Sequence, residues 1–211
     1  SNLLPYCAID LHGATEPLII SALNGAAIDL CKQSGCWNTW EDIVLESGVG
    51  EYDISPPSGN SRLWLIRTAL FNGREFKPMP ADQQAAITPA MFDQQGTPTC
   101  YWFSGVSTMQ VLPKPSDTDA GRIIKVRAVW IPTINATTLD SDLMERYMDA
   151  IIAGANARLM RIPGQAWSNP QLSSYYENQN KQLVGAARID QMGDMTIGNL
   201  AVKPRKFGTI R

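Results

Sequence analysis

The chain has 211 residues, 44% of them hydrophobic and 18% charged, with a formal net charge of −2. This composition supplies a real core and excludes a disordered chain, and no apolar run approaches the roughly 18 residues that span a bilayer. Four of the 18 basic residues, Lys203, Arg205, Lys206 and Arg211, lie in the last nine with no acid among them; the body before them is acidic, which argues against tight capture of nucleic acid by that body.

In chain order, Ser1-Asn2-Leu3-Leu4-Pro5 lacks the basic and apolar regions of a signal peptide. Cys7, Cys31, Cys36 and Cys100 are irregularly spaced and read as reduced thiols of a cytosolic product. Thr15 is the expected N-cap of a first helix, with Glu16 and Pro17 in its first turn. Ile19, Ala22, Leu23, Ala26, Ala27 and Leu30 then recur at helical spacing as far as Ser34-Gly35.

From Trp37 to Thr133 the pattern changes to about seven short strands with frequent turns, the mark of a compact sandwich or barrel. "EDIVLE" and "EYDIS" flank a Gly48–Gly50 turn, and Ala81 to Ile87 predicts one short helix. "RLWLIRTALF" runs into Asn72-Gly73, a dipeptide that accepts the positive φ angles of a two-residue hairpin turn, and "REFKPM" returns. "TCYWF" and "TMQVLP" around Ser104-Gly105 predict a second hairpin. In the clearest strand, Ile124, Val126, Ala128 and Trp130 share one face while Lys125 and Arg127 share the other.

Helical spacing returns at Asp140 or Ser141, either of which caps, with Asp142 and Glu145 placed where the helix dipole favours acids. Met144, Tyr147, Met148, Ile151, Ile152, Ala155 and Leu159 form one apolar stripe. Pro163-Gly164 stops that helix and Asn169-Pro170 starts the next, whose stripe is Leu172, Tyr175, Tyr176, Leu183, Ala186 and Ala187. The fold class expected is α+β. Three long helices (15–36 and 140–192) form a bundle, an antiparallel β-rich sandwich or barrel-like domain (37–133) is inserted in it, and an extended tail (193–211) follows.

Chemistry is hard to find. His12 stands outside any periodic element, and a Ser-His-Asp or Cys-His arrangement has no other base of that kind. Cys31 and Cys36 alone do not make a zinc site, and no Gly-rich phosphate loop is present. Asp140, Asp142, Glu145 and Asp149 form an acidic cluster of the kind that binds Mg²⁺ or does acid–base work, but three of them sit at a helix start, where the dipole explains them without a ligand. The expectation is therefore no enzyme, no cofactor and no metal. Ala153, Gly154 and Ala157 are small residues in mid-helix, suited to close approach of another helix or of a neighbouring subunit. In the tail, Val202, Phe207 and Ile210 alternate loosely with the basic groups, as in a segment that docks on another protein by strand addition.

Together, "EPLIISALNGAAIDLCKQSGCW", "GEYDISPPSG" and the run from Ala136 through Pro163-Gly164-Gln165-Ala166-Trp167-Ser168-Asn169-Pro170 to Tyr176 resemble the head-to-tail adaptor family of tailed bacteriophages. Adaptors of short-tailed phages, the tail tubular protein A type, are the nearest in kind. The likeness runs from Thr15 to Ala187. It implies a dodecameric ring under the portal vertex of the virion, made in the host bacterial cytoplasm. Such a ring docks on the portal protein, extends the DNA channel without sequence-specific binding or membrane contact, and carries the tail nozzle and fibres. In that setting Pro163, Gly164, Trp167, Asn169 and Pro170 fix the angle between two long helices, and Trp167 is expected to bury its ring while its N–H meets a carbonyl. The segment Val202, Lys203, Arg205, Lys206, Phe207, Ile210 and Arg211 is the expected portal-docking tail. Competing readings are a head-completion protein or other tail component of a long-tailed phage, and a small-ligand module lined by Tyr101, Trp102 and Phe103. A wall-degrading hydrolase would need two suitably separated carboxylates.

Overall fold

A computed structural model describes residues 3–8, 11–85, 87–103 and 107–192. The class is mixed α and β, with six helices and ten strands among the described residues. The helical part is more than three long helices. A short α1 (Leu4–Ala8) precedes α2 (Glu16–Ser34), and two single turns, α3 (Ala81–Gln84) and α4 (Pro89–Phe92), lie within the β-rich stretch. Two further long helices, α5 (Ser141–Met160) and α6 (Pro170–Met192), complete the set.

Local signals account for the boundaries of α2. Thr15 holds the extended N-cap conformation without a side-chain cap bond, and a proline occupies the first turn. Gly35 at φ 65° ends the helix, its N–H reaching Cys31 O at 2.9 Å. One apolar core joins Leu3 and Cys7 from the first segment, Leu23, Ala27 and Leu30 of α2, Ile151, Ala155 and Leu159 of α5, and Val184 and Ala187 of α6.

The strands form two four-stranded sheets that share a second core. The first has the order β1 (Asn38–Val44), β10 (Ile123–Pro132), β3 (Ser61–Phe71), β4 (Arg74–Glu75), all antiparallel. The second runs β2 (Glu51–Asp53), β8 (Thr108–Leu112), β7 (Cys100–Phe103), β5 (Lys77–Pro78). Antiparallel pairing is not universal, because β5 pairs parallel with β7, and β6 (Gln95–Gly96) pairs parallel with β9 (Lys114–Pro115). Ile43, Leu63 and Phe71 of the first sheet meet Tyr52, Tyr101 and Met109 of the second.

The Asn72-Gly73 turn forms as expected, with φ of 52° and 72°. The β7–β8 hairpin pairs Tyr101 with Val111, and its Ser104-Gly105 turn lies outside the described residues. The Gly48–Gly50 turn does not make a hairpin. It is held by Tyr52, whose hydroxyl donates to Val49 O at 2.9 Å and accepts from Glu46 N at 3.1 Å, and it carries the chain from one sheet to the other.

The β10 strand explains how the two cores are joined. Ile124, Val126, Ala128 and Trp130 are fully buried between the sheets, as their alternation predicts. Beyond Ala128 the other face is buried too, for Val129 is 1% exposed and Ile131 enters the helical core. Asn24 of α2 reaches across this seam, its Nδ2 donating to Thr133 O at 2.9 Å and Ile134 O at 2.7 Å.

Candidate functional site

The junction between α5 and α6 is built from short-range rules. Ile162 N–H returns to Leu159 O at 3.1 Å, and Gly164 adopts φ 76°, which favours glycine. Asn169 N–H closes the loop on Met160 O at 3.0 Å, while its side chain accepts from Leu172 N at 3.1 Å as the N-cap of α6. Two further ties lock the helices beyond the loop: Ser173 Oγ donates to Ala157 O at 2.7 Å, and Arg161 pairs with Glu177. Glu177 also holds Lys181 at 2.9 Å. The Lys181 hydrogen bond and charge, with the Arg161 charge beside them, keep its carboxyl below the ordinary carboxylate range.

Trp167 behaves differently from its expected role. The ring is half-buried against the helical core and lies over Gly13, where an added Cβ would stand 3.9 Å from Cε3 and Cζ3. Its Nε1 is buried and has no hydrogen-bond partner among the described residues, so no carbonyl receives it. The ring thus packs on the helical core and on the loop before α2. Pro163, Gly164 and Pro170 are exposed.

The small residues lie inside the helical packing. Ala153 and Ala157 are 2% and 6% exposed. A Cβ on Gly154 would stand 2.9 Å from Asn180 Nδ2 on α6 and 3.0 Å from the Ala26 Cβ on α2, so three helices converge there. Asn180 Nδ2 donates to Ala150 O at 2.7 Å, tying α6 to α5 at the same level.

A second polar seam was not legible from spacing. Arg127 Nε donates to Asn38 Oδ1 at 2.8 Å, and Asn38 Nδ2 donates to Gln191 Oε1 at 2.8 Å. Gln191 Nε2 then donates to the Tyr147 hydroxyl at 3.4 Å. Tyr147 is itself non-helical (φ −126°, ψ 19°) inside α5, so this chain of bonds links β10, β1, the end of α6 and a kink in α5.

Little else converges. His12 is exposed on its loop, and Asp140 caps Asp142 N–H at 3.0 Å while Asp142, Glu145 and Asp149 face solvent. Among the described residues no three His, Cys, Asp or Glu side chains come together as a metal site. None of the four cysteines forms a disulfide. Cys31 and Cys36 share a hydrogen bond that, with burial, raises Cys31, while the same bond lowers Cys36. Tyr101 stacks on Phe76 within the β core and Trp102 meets Phe92 edge-on; none of Tyr101, Trp102 and Phe103 lines the cavity of about 370 Å³ near Val49, Phe92 and Val111. The tail positions Val202, Lys203, Arg205, Lys206, Phe207, Ile210 and Arg211 lie outside the described residues.

The family model of the SU10 adaptor protein matches residues 4–202, and the chain belongs to that family. No curated protein matches the sequence. The family is one of structural adaptor proteins of bacteriophages.

Proposed function

We propose that this SU10-family adaptor forms a ring, dodecameric and seated on the portal of a short-tailed phage, that continues the DNA channel and bears the tail nozzle and fibres. Its helices 15–36 and 140–192 act as one bundle domain, with the β-rich domain 37–133 inserted and the extended tail 193–211 following. The observation that carries this reading is the α5–α6 junction, which is fixed at both ends by main-chain bonds, an N-cap and the Ser173–Ala157 tie. Fixed angles matter in a closed ring, since a small angular error per subunit accumulates around the circle. The acidic excess of the body fits a lumen that DNA traverses without sticking, because like charge opposes phosphate capture.

Val202, Lys203, Arg205, Lys206, Phe207, Ile210 and Arg211 form the portal-docking segment in this reading, with Phe207 and Ile210 as apolar anchors. Ala153, Gly154 and Ala157 serve close helix packing within each subunit. Portal binding by a chain ending at Ala201 tests the docking role. Affinity falls by roughly tenfold or more if the tail carries it. Unchanged affinity would remove the tail from the docking surface.

A further inference from the structure

β1 is an open edge of the first sheet. Trp130 N–H bonds Trp37 O at 2.8 Å, and Leu45 N–H bonds Arg122 O at 2.9 Å. In an antiparallel pair these bonds set the alternation, so the odd-numbered residues of β1 turn their main-chain groups towards β10. The N–H and C=O groups of Asn38, Trp40, Asp42 and Val44 therefore face away from β10, and no main-chain partner for them exists among the described residues. Exposed apolar side chains stand among the polar ones beside this edge: Trp40 is 51% exposed, and Val44 (54%) lies across from Ile123 (43%). The edge runs for seven residues without proline or bulge. Such an edge is a template for one more strand.

Position and charge identify the occupant. α6 ends at Met192, and Gln191 is hydrogen-bonded to Asn38, the first residue of β1, so the chain leaves α6 at the start of the open edge. Residues 193–211, extended, reach roughly 60 Å, against about 23 Å for a seven-residue strand. They carry Lys203, Arg205, Lys206 and Arg211, whereas β1 and the turn after it carry Glu41, Asp42 and Glu46. Lys125, 3.8 Å from Asp42, neutralises part of that acid and leaves the rest. A segment tethered on the same chain faces the edge at an effective concentration on the order of millimolar.

We propose that the open edge of β1 is the acceptor for this chain's own segment 193–211, which adds to it as a strand in the unassembled protein. The pairing itself does not depend on portal docking. Only its consequence rests on that reading: the tail has two acceptors, and the portal takes it from β1.

The test is amide hydrogen exchange at Trp40, Asp42 and Val44, followed by NMR, in the full chain and in a chain ending at Met192. Exchange is expected to be slower in the full chain by roughly tenfold or more, and the difference is expected to persist on dilution. A full-length variant with Lys203, Arg205 and Lys206 each changed to Glu is expected to lose the same protection, which covers the case of a misfolded truncation. Equal rates in all chains would overturn the proposal. Protection that fades on dilution would also overturn it, by assigning the edge to a second copy. Portal affinity is no part of this readout, so either reading can fail while the other stands.

Discussion

Replacing Gly154 by alanine probes the three-helix convergence directly. In an open helix the change would stabilise by about 1 kcal/mol. Here the new Cβ would lie 2.9 Å from Asn180 Nδ2 and 3.0 Å from the Ala26 Cβ, inside the ordinary carbon contact of about 3.5–4 Å. Overpacking of this kind costs about 1–3 kcal/mol. Asn180 cannot swing aside freely, because its bond to Ala150 O at 2.7 Å would break, at a further cost of about 1 kcal/mol. The balance is a loss of about 1–3 kcal/mol, or roughly 2–12 °C in Tm for a chain of this length. Urea unfolding should show a lower midpoint with an unchanged m-value. Adding Ala26→Gly should return about 1 kcal/mol of favourable coupling. A Gly154→Ala chain as stable as the parent, or more stable, would refute the close approach.

Trp167→Phe removes no hydrogen bond, since Nε1 has no partner among the described residues, and should change stability by less than about 1 kcal/mol; Trp167→Ala, which strips the half-buried ring from Gly13, should cost about 2 kcal/mol. Equal losses in a denaturant titration would show that the N–H is bonded after all. Asn169→Ala removes the cap on Leu172 N–H and should cost about 1 kcal/mol by thermal melting, with Asn169→Asp close to the parent. Glu177 titrates below its ordinary 4.5 in the folded chain, so its stabilisation is present above the unfolded value and lost as pH falls through the folded one. Glu177→Gln should therefore lower Tm at neutral pH, with the gap closing in acid; a gap constant across the acid range would contradict the pairing with Lys181 and Arg161.

The features legible in the sequence are those written locally. Thr15, Pro17 and Gly35 bound α2 within a few residues of their expected places, and Asn72-Gly73 formed its turn because both residues accept positive φ. The α1 segment went unseen because a five-residue helix has no periodicity of its own; it is held by burying Leu3 and Cys7 on other helices. The partners of β1 and β2 could not be read from the turn between them, since pairing depends on strands far along the chain. The second buried face of β10 is a tertiary property for the same reason. Asn38 and Gln191 are 153 positions apart, and nothing near either one announces the other. Asp119 was also invisible: it is 1% exposed, yet fully engaged by Arg122 at 3.0 Å, Thr97 at 2.9 Å and Ser116 at 3.2 Å. At Trp167 the partial burial of the ring is legible in the sequence, but the contact with Gly13 and the unpartnered N–H are tertiary properties.

The most direct test of the adaptor account is the mass, by light scattering, of the chain alone and mixed with the cognate portal ring. The account predicts that the chain joins the portal ring with one copy for each portal subunit. A mixture in which the two components keep their separate masses would contradict it.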